Sequence, residues 1–431
     1  MKKKTIALLL TLAMAIGLTA CGSSGSADAK GSVYYLNFKP EFDEALTELA
    51  KTYTEKTGVD VKVVTAASGD YDTTLNAQMG KDGAPTIYNI GNMAALKNWD
   101  EYALNLKDTK LAGELTTDEF NLYNEAGELK AMGYCYESFG IITNLELLEQ
   151  AGYSVDDIKD YDSLKAVADD IHSRASELGF DAFTSAGLDP SSSWRFSGHL
   201  ANMPLFYEFR DDSITEQPAE IKGSYMDNFK KIWDLYITDS ATAGANLSSA
   251  TGDQAEAEFG KGEAVFYQNG TWEYANLTEK FGMDPEKIAM LPIYCGVEGE
   301  DNAALCSGTE NCWAINSKAS EADQNASLDF LYWLVTDADA SKVVVEQLGG
   351  VPFKQCPESA NKFVVDGNKL LSDGKYAVSW AFNYTPNVDS FRATLVTAMT
   401  AYSADPTDAN WDEVVKAFVD GWAIEYAAVN G

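Results

Sequence analysis

The chain holds only two histidines, His172 and His199, and contains no GxSxG, GxxxxGK[ST], HExxH or GxGxxG. Those absences remove the nucleophile elbow, the phosphate loop, the zinc-protease helix and the dinucleotide turn. They also leave histidine-based acid/base chemistry poorly supported. His172 falls within SLKAVADDIHSRASEL and reads as a helix-surface residue. Cysteine is scarce and irregularly spaced, at positions 21, 135, 295, 306, 312 and 356. Cys306 and Cys312 lack CxxC spacing and have no histidine nearby, which argues against zinc. Once Cys21 is set aside, as argued below, five thiols remain. That odd number argues against an obligatory disulfide framework and leaves room for one facultative bridge. Fixed-period repeats are also missing, so solenoids and propellers are excluded.

Basic residues are few, 32 Lys and Arg against 66 Asp and Glu, for a formal charge of -34. A nucleic-acid partner is therefore excluded, since phosphate binding needs the opposite sign. So much acid reads as a solvated, self-repelling surface. Disorder is not indicated, because 45% of the residues are hydrophobic and 12% aromatic, enough for one large or two ordinary cores. Length favours two domains. The acid-rich DPTDANWDE lacks the glycine and bidentate spacing of a calcium loop and reads as a turn before a helix. No metal and no cofactor is expected. With 66 acids some carboxylate pair will fall at glycosidase separation by chance, so a surface glycosidase stays open as the enzyme alternative.

No apolar run is long enough to span a bilayer, which takes about 20 residues. The nearest is Thr5 to Ala20, uncharged and preceded by Lys2, Lys3 and Lys4. This has the layout of a secretory signal, residues 1 to 20. Leu18, Thr19, Ala20 and Cys21 resemble a bacterial lipobox, in which the Cys21 thiol accepts a diacylglycerol. Acyl chains on the first mature residue would fix the protein to the outer face of a membrane. Residues 21 to 32, rich in Gly, Ser and Ala, then form a flexible tether.

SVYYLNF, KPEFDEALTELAKTYTEKTG and VDVKVVTA read as strand, helix and strand. In the helix Phe42, Ala45, Leu46, Leu49, Ala50 and Tyr53 recur at steps of three and four, with Pro40 suited to the first turn and Gly58 to the stop. The unit is βαβ, with a parallel pair and a right-handed crossover. APTIYNI, GIITN and GEAVFYQN read as strands, and YDSLKAVADDIHSRASELGF and SLDFLYWLVT as helices. The fold class is α/β.

Several aromatics stand in polar loops rich in Gly and Asn: Trp194 in SSSWRFSGHLAN, Trp272 in QNGTWEYAN, Trp313 in GTENCWAIN, and Trp380, Phe382 and Tyr384 in SWAFNYTPN. A flat ring among hydrogen-bonding side chains suits a sugar, whose apolar face stacks while its hydroxyls take directional bonds. Trp313 begins a strand-like WAIN and is equally suited to core packing.

GYCYESFGIITNLELLEQAGY, YDSLKAVADDI, FGKGEAVFYQNGTWEYANL, MLPI and WAINSKASEADQNASLDFLYWL, in this order and spacing, resemble the extracellular solute-binding proteins (family 1) of carbohydrate ABC transporters, lipoproteins of the broad type of maltose-binding protein. The opening SVYYLNFKPEFDEALTELAKTYTEKTGVDVKVVTAASGDYDTTL is similar to a Gram-positive subgroup. The cysteines at 295, 306 and 312 depart from the usual pattern. The resemblance implies a two-lobed fold of the periplasmic-binding-protein type (type II), with a ligand cleft closed by a hinge. Crossings near Ile141, Ser307 and Gly350 give lobe one residues 33 to 141 and 308 to 350, and lobe two 142 to 307 and 351 to 431.

It also implies an anchored, monomeric protein that captures a carbohydrate and presents it to the transmembrane subunits of an ABC permease. The alternative is a binder of a peptide or other non-sugar solute. Trp272, after NGT, occupies a sugar-stacking position, and Glu137, in CYESFG, that of a carboxylate accepting from ligand hydroxyls. Trp194, Arg195 and Trp380 fall in cleft loops of lobe two. From lobe one, Asn37 and Lys39 follow the first strand, Asp70 and Tyr71 the second, and Asn92 the third, at the carboxyl ends where open sheets place ligands.

Overall fold

A computed structural model describes residues 30 to 67 and 69 to 431. The signal, Cys21 and most of the tether lie outside the described residues. The opening βαβ unit forms as the periodicity predicts. β1 (Ser32–Asn37) leads through a single turn at Pro40–Phe42 into the helix Asp43–Thr57, which ends at Gly58 and returns as β2 (Asp60–Thr65). β1 and β2 pair in parallel, Ser32 with Asp60 through Asn37 with Thr65. Leu46, Leu49, Ala50 and Tyr53 turn the apolar helix face onto the sheet.

The remaining strands are β3 (Ile87–Asn89), β4 (Leu122–Tyr123), β5 (Leu129–Gly133), β6 (Glu137–Asn144), β7 (Asp181–Phe183), β8 (Ala264–Gly270), β9 (Ile288–Leu291), β10 (Ala303–Gly308), β11 (Cys312–Ile315) and β12 (Tyr376–Ser379). They assemble into two sheets. The first runs β2-β1-β3-β11-β5-β4; the second runs β12-β10-β6-β8-β7, with β9 also paired to β6. Each has its own core. Phe42, Leu46, Ile87, Trp313, Phe330 and Leu334 belong to the first, and Phe139, Leu164, Phe196, Trp233, Phe266 and Trp422 to the second.

The chain passes between the sheets three times. It leaves the first between Gly133 and Glu137 and returns between Gly308 and Cys312. It leaves again after Phe353, which still packs in the first core, to reach the helix Lys362–Ser372 against β9. The first passage thus precedes Ile141, which lies in the second sheet opposite Gln268. The three passages lie side by side: Tyr134 N–H donates to the Asn311 carbonyl at 2.9 Å, and Tyr136 N–H to that of Gly350 at 2.8 Å. Thr309 Oγ1 donates to the Cys135 carbonyl at 2.7 Å.

The helix read across YDSLKAVADDIHSRASELGF breaks into Tyr161–Ser173 and Ala175–Leu178. Arg174 sits at the break, pairing with Asp170 and donating to the Ala151 carbonyl at 2.8 Å. The acid-rich DPTDANWDE opens the long helix Asp408–Asn430, whose first turn is capped by Thr407. Cys135, Cys295, Cys306, Cys312 and Cys356 are free thiols, the first four buried. Among the described residues no helix is long and apolar enough to cross a membrane.

Candidate binding site at the joint between the sheets

At the carboxyl end of β1 the chain turns so that Lys39 points inward. Its ammonium donates to Glu137 Oε1 at 2.6 Å and Glu41 Oε1 at 2.6 Å, with only 4% of the side chain exposed. Burial alone would pull the lysine pKa down, but the two carboxylates outweigh it and hold it above its ordinary value. Glu137, the first residue of β6, accepts a further bond from Asn311 Nδ2 at 2.6 Å. Asn37 is fully buried and donates to the Lys39 carbonyl at 2.7 Å, fixing the turn. Lys39, Glu41, Glu137 and Asn311 therefore form one bonded set beside two of the three passages.

The second sheet faces this set with rings. Phe139, two residues into β6 from Glu137, stacks on His199 with centroids 4.0 Å apart and planes 7° apart. Around His199 stand Trp194 at 5.0 Å, Trp272 at 5.3 Å, Phe382 at 6.1 Å and Trp380 at 6.3 Å. Trp194 and Trp272 are 6.0 Å apart and both remain partly exposed. Trp380 is 6% exposed, and its Nε1–H donates to the Cys306 carbonyl at 3.0 Å. Two glycines let these rings lie flat on the strands. A Cβ on Gly270 would meet the Trp272 ring at 2.1 Å, and one on Gly308 would meet Trp380 at 2.5 Å.

Polar atoms in this region are left unmatched. Among the described residues His199 Nδ1, both side-chain ends of Gln268, Glu273 Oε2, Asn311 Oδ1 and Asn383 Oδ1 are buried without a hydrogen-bond partner. Such atoms are rare in folded proteins and call for an explanation. Glu273 shows the electrostatic consequence: burial first, then Glu256, push its carboxyl up to about 8, against the pull of Arg195.

The two sides also touch. Asn383 Nδ2 donates to the Thr309 carbonyl at 3.0 Å, and Lys97 Nζ to Asn430 Oδ1 at 3.2 Å. Asp72, on the helix Tyr71–Met79, is raised above the usual carboxylate range by burial and then by Asp389 of the helix Val388–Ala404, while Arg392 opposes the shift. Among the described residues no three His, Cys, Asp or Glu gather as a metal site.

Of the residues singled out in the sequence, Asn37, Lys39 and Glu137 meet on one side, and Trp194, Trp272 and Trp380 on the other. The rest are placed differently. Tyr71 is buried, its hydroxyl accepting from Asn89 N–H at 2.7 Å and facing the Leu36 carbonyl at 3.3 Å. Asn92 caps the helix Met93–Trp99 by accepting from Ala95 N–H at 2.8 Å. Asp70 is exposed at the start of its helix. Arg195 is 1% exposed, sits over Tyr267, and spends its Nε on the Gln268 carbonyl at 2.8 Å. Trp313 is a core residue, stacked on Tyr134 at 4.4 Å and bonded to Tyr35 Oη at 2.6 Å. Sequence reasoning missed Phe139, His199 and Arg392. Phe139 is masked by an apolar strand, and Arg392 by an ordinary helix in which its guanidinium covers Phe382 at 5.4 Å.

Two α/β sheets bridged by three adjacent passages, with polar and aromatic walls meeting beside them, define a two-bodied binding protein. Residues 48 to 360, well over half the chain, match the family described as bacterial extracellular solute-binding protein, and the chain belongs to that family. No curated protein sequence matches it. Among solved structures it is similar to the solute-binding protein RafE in complex with raffinose, at 16% identity, TM-score 0.73, and coverage of 92% of this chain and 99% of that one. It is also similar to the GacH receptor of Streptomyces glaucescens, solved unliganded and with acarbose, at 19% identity, TM-score 0.67, and coverage of 92% and 98%. A Streptococcus pneumoniae solute-binding protein in complex with the blood group A-trisaccharide matches at 19% identity, TM-score 0.67, and coverage of 91% and 99%. At these identities the likeness is one of fold.

Proposed function

We propose that this chain is the substrate-binding lipoprotein of an ABC importer and holds an oligosaccharide at the joint between its sheets. The observation that carries the reading is the wall of Trp194, Trp272, Trp380, Phe382 and Phe139, interspersed with buried polar atoms that have no partner. A sugar supplies what both features want, an apolar ring face and many hydroxyls. The fold neighbours solved with raffinose, acarbose and a blood-group trisaccharide support the same class. Lys39, Glu137, Trp194, Trp272 and Trp380 are the contacts we favour, with Asn37 holding the turn that presents Lys39. Tyr71, Asn92 and Arg195 support the walls, and Asp70 stands exposed at the start of its helix.

In this reading the two sheets are the cores of two lobes, exchanged at the three passages, and the ligand favours the closed form. The monomer is tethered outside the membrane through lipid on Cys21 and delivers its sugar to the permease subunits. It binds and does not hydrolyse.

Calorimetry and thermal melting against malto-, xylo-, manno- and galacto-oligosaccharides test the reading. Micromolar or tighter binding is expected, with about 2.7 kcal/mol of added stability at a hundredfold excess over Kd. A folded sample giving no heat and no shift across the panel overturns it, and release of chromophore from aryl glycosides would make the protein a hydrolase. Cys21→Ala should abolish palmitate labelling and free the protein from membranes; continued labelling would refute the anchor.

A further inference from the structure

His199 is the one polar ring in the aromatic wall. It is 5% exposed, lies parallel to Phe139 at 4.0 Å, and meets the edge of Trp194 at 5.0 Å with planes 77° apart. Trp272 closes the other side at 5.3 Å. Within this nest Nδ1 is buried and, among the described residues, has no hydrogen-bond partner. An imidazole placed only to fill space among rings would be a poor choice. A phenyl ring fills the same space without burying a nitrogen that has lost its hydration. Of the rings around His199, Trp194 and Trp272 are the partly exposed ones.

We propose that His199 is a ligand-contacting residue, whose imidazole hydrogen-bonds a hydroxyl of the sugar ring stacked on Trp272. The inference rests on the carbohydrate reading above and adds a specificity-determining residue to it. Burial, and then the positive charges of Arg392 and Arg195, hold the ring well below its ordinary pKa. The imidazole is therefore neutral and presents one donor and one acceptor, a match for a hydroxyl, which is both. A ligand with no hydroxyl at that point would leave the nitrogen unpartnered, as it is now. Discrimination between sugars that differ only in that hydroxyl follows.

The test uses the full chain with raffinose, maltotriose, xylotriose and chitotriose, carrying forward the sugar with the lowest Kd. His199→Phe keeps the stack on Phe139 and deletes the nitrogens. It should melt at or above the wild-type temperature when empty, yet bind that sugar about tenfold or more weakly. Independently, 15N-histidine spectra of the wild type contain two imidazoles, and saturation with the sugar should move the His199 resonances while leaving those of His172 in place. The spectra decide the matter if the variant fails to fold. Wild-type affinity in a folded His199→Phe, or an unmoved His199 signal at saturation, overturns the assignment alone. A wild type that binds none of the four sugars and no longer panel member brings down the carbohydrate reading, and the His199 assignment with it.

Discussion

The two walls of the joint are built on opposite principles. On the side of the first sheet, Lys39 is satisfied by Glu41 and Glu137, and Glu137 in turn by Asn311, so its charges are paired within the protein. On the side of the second sheet, stacked rings enclose His199 Nδ1, which among the described residues has no partner, whereas the unmatched atom of the polar set is the neutral Asn311 Oδ1. A buried charge pair costs desolvation and is worth having only with good geometry. The polar wall therefore reads as a brace that holds the passages together. The aromatic wall has capacity left over and is where a ligand gains most. A catalogue of charged residues near a cleft would have ranked them the other way.

Four substitutions break or sharpen this contrast. Trp380→Ala removes a buried ring that packs on Gly308 and bonds Cys306. It should cost about 3 to 5 kcal/mol of stability as well as affinity, read by denaturant melts of the empty protein. Glu137→Ala strips the brace of a carboxylate and leaves Lys39 and Asn311 partly unpaired, so roughly 3 kcal/mol of stability should go. Glu137 is also among the favoured contacts, so sugar binding should weaken too; a Glu137→Ala protein that melts like the wild type shows that the polar wall braces nothing, and the contrast fails.

Glu273→Gln should act through pH. Because the folded state raises this carboxyl to about 8, it binds the proton more tightly than the unfolded chain does. Its contribution to stability is full below the ordinary carboxylate range and is lost as pH rises through about 8. The variant should therefore gain on the wild type between pH 5 and pH 9, by roughly 4 kcal/mol. Parallel stability curves would show that Glu273 is not buried as described. Trp272→Ala should be the mildest for the fold and should mark the aromatic wall most clearly. Its ring is already partly in water, so the empty protein should melt near the wild type. Affinity should fall by about 1 to 3 kcal/mol, with base stacking on aromatic rings as the analogue.

What could be read beforehand was local. The helix Asp43–Thr57 announces itself through five apolar residues at helical spacing, Ala45 to Tyr53, and β8 through a β-branched and aromatic run. The start of β6 could not be read this way. Glu137 and Ser138 are polar yet lie in the ladder against Gly308 and Ser307, so the strand begins before its apolar pattern does. That is why the first passage falls ahead of Ile141. Trp272 stood out because its loop is polar. His199 did not, since its partners come from Phe139, Trp194, Trp272 and the Trp380 segment, pieces distant in sequence that only the tertiary fold brings together. Nor does an inventory of loop residues reveal that the polar groups of Tyr71 and Asn92 are taken by nearby backbone.

The free thiols carry a consequence in reactivity. Burial holds Cys135, Cys306 and Cys312 above the ordinary thiol range, and Cys356 reaches about 11. The thiolate is the species that attacks alkylating reagents and disulfides, so at neutral pH these side chains are slow nucleophiles, modified only when the surrounding packing opens. Cys306 and Cys312 flank the middle passage, one on the last strand before it and one on the first strand after. Their rates of alkylation, followed separately by peptide mapping, are two clocks set on either side of the joint, and the difference between them times how often each body breathes apart from the other.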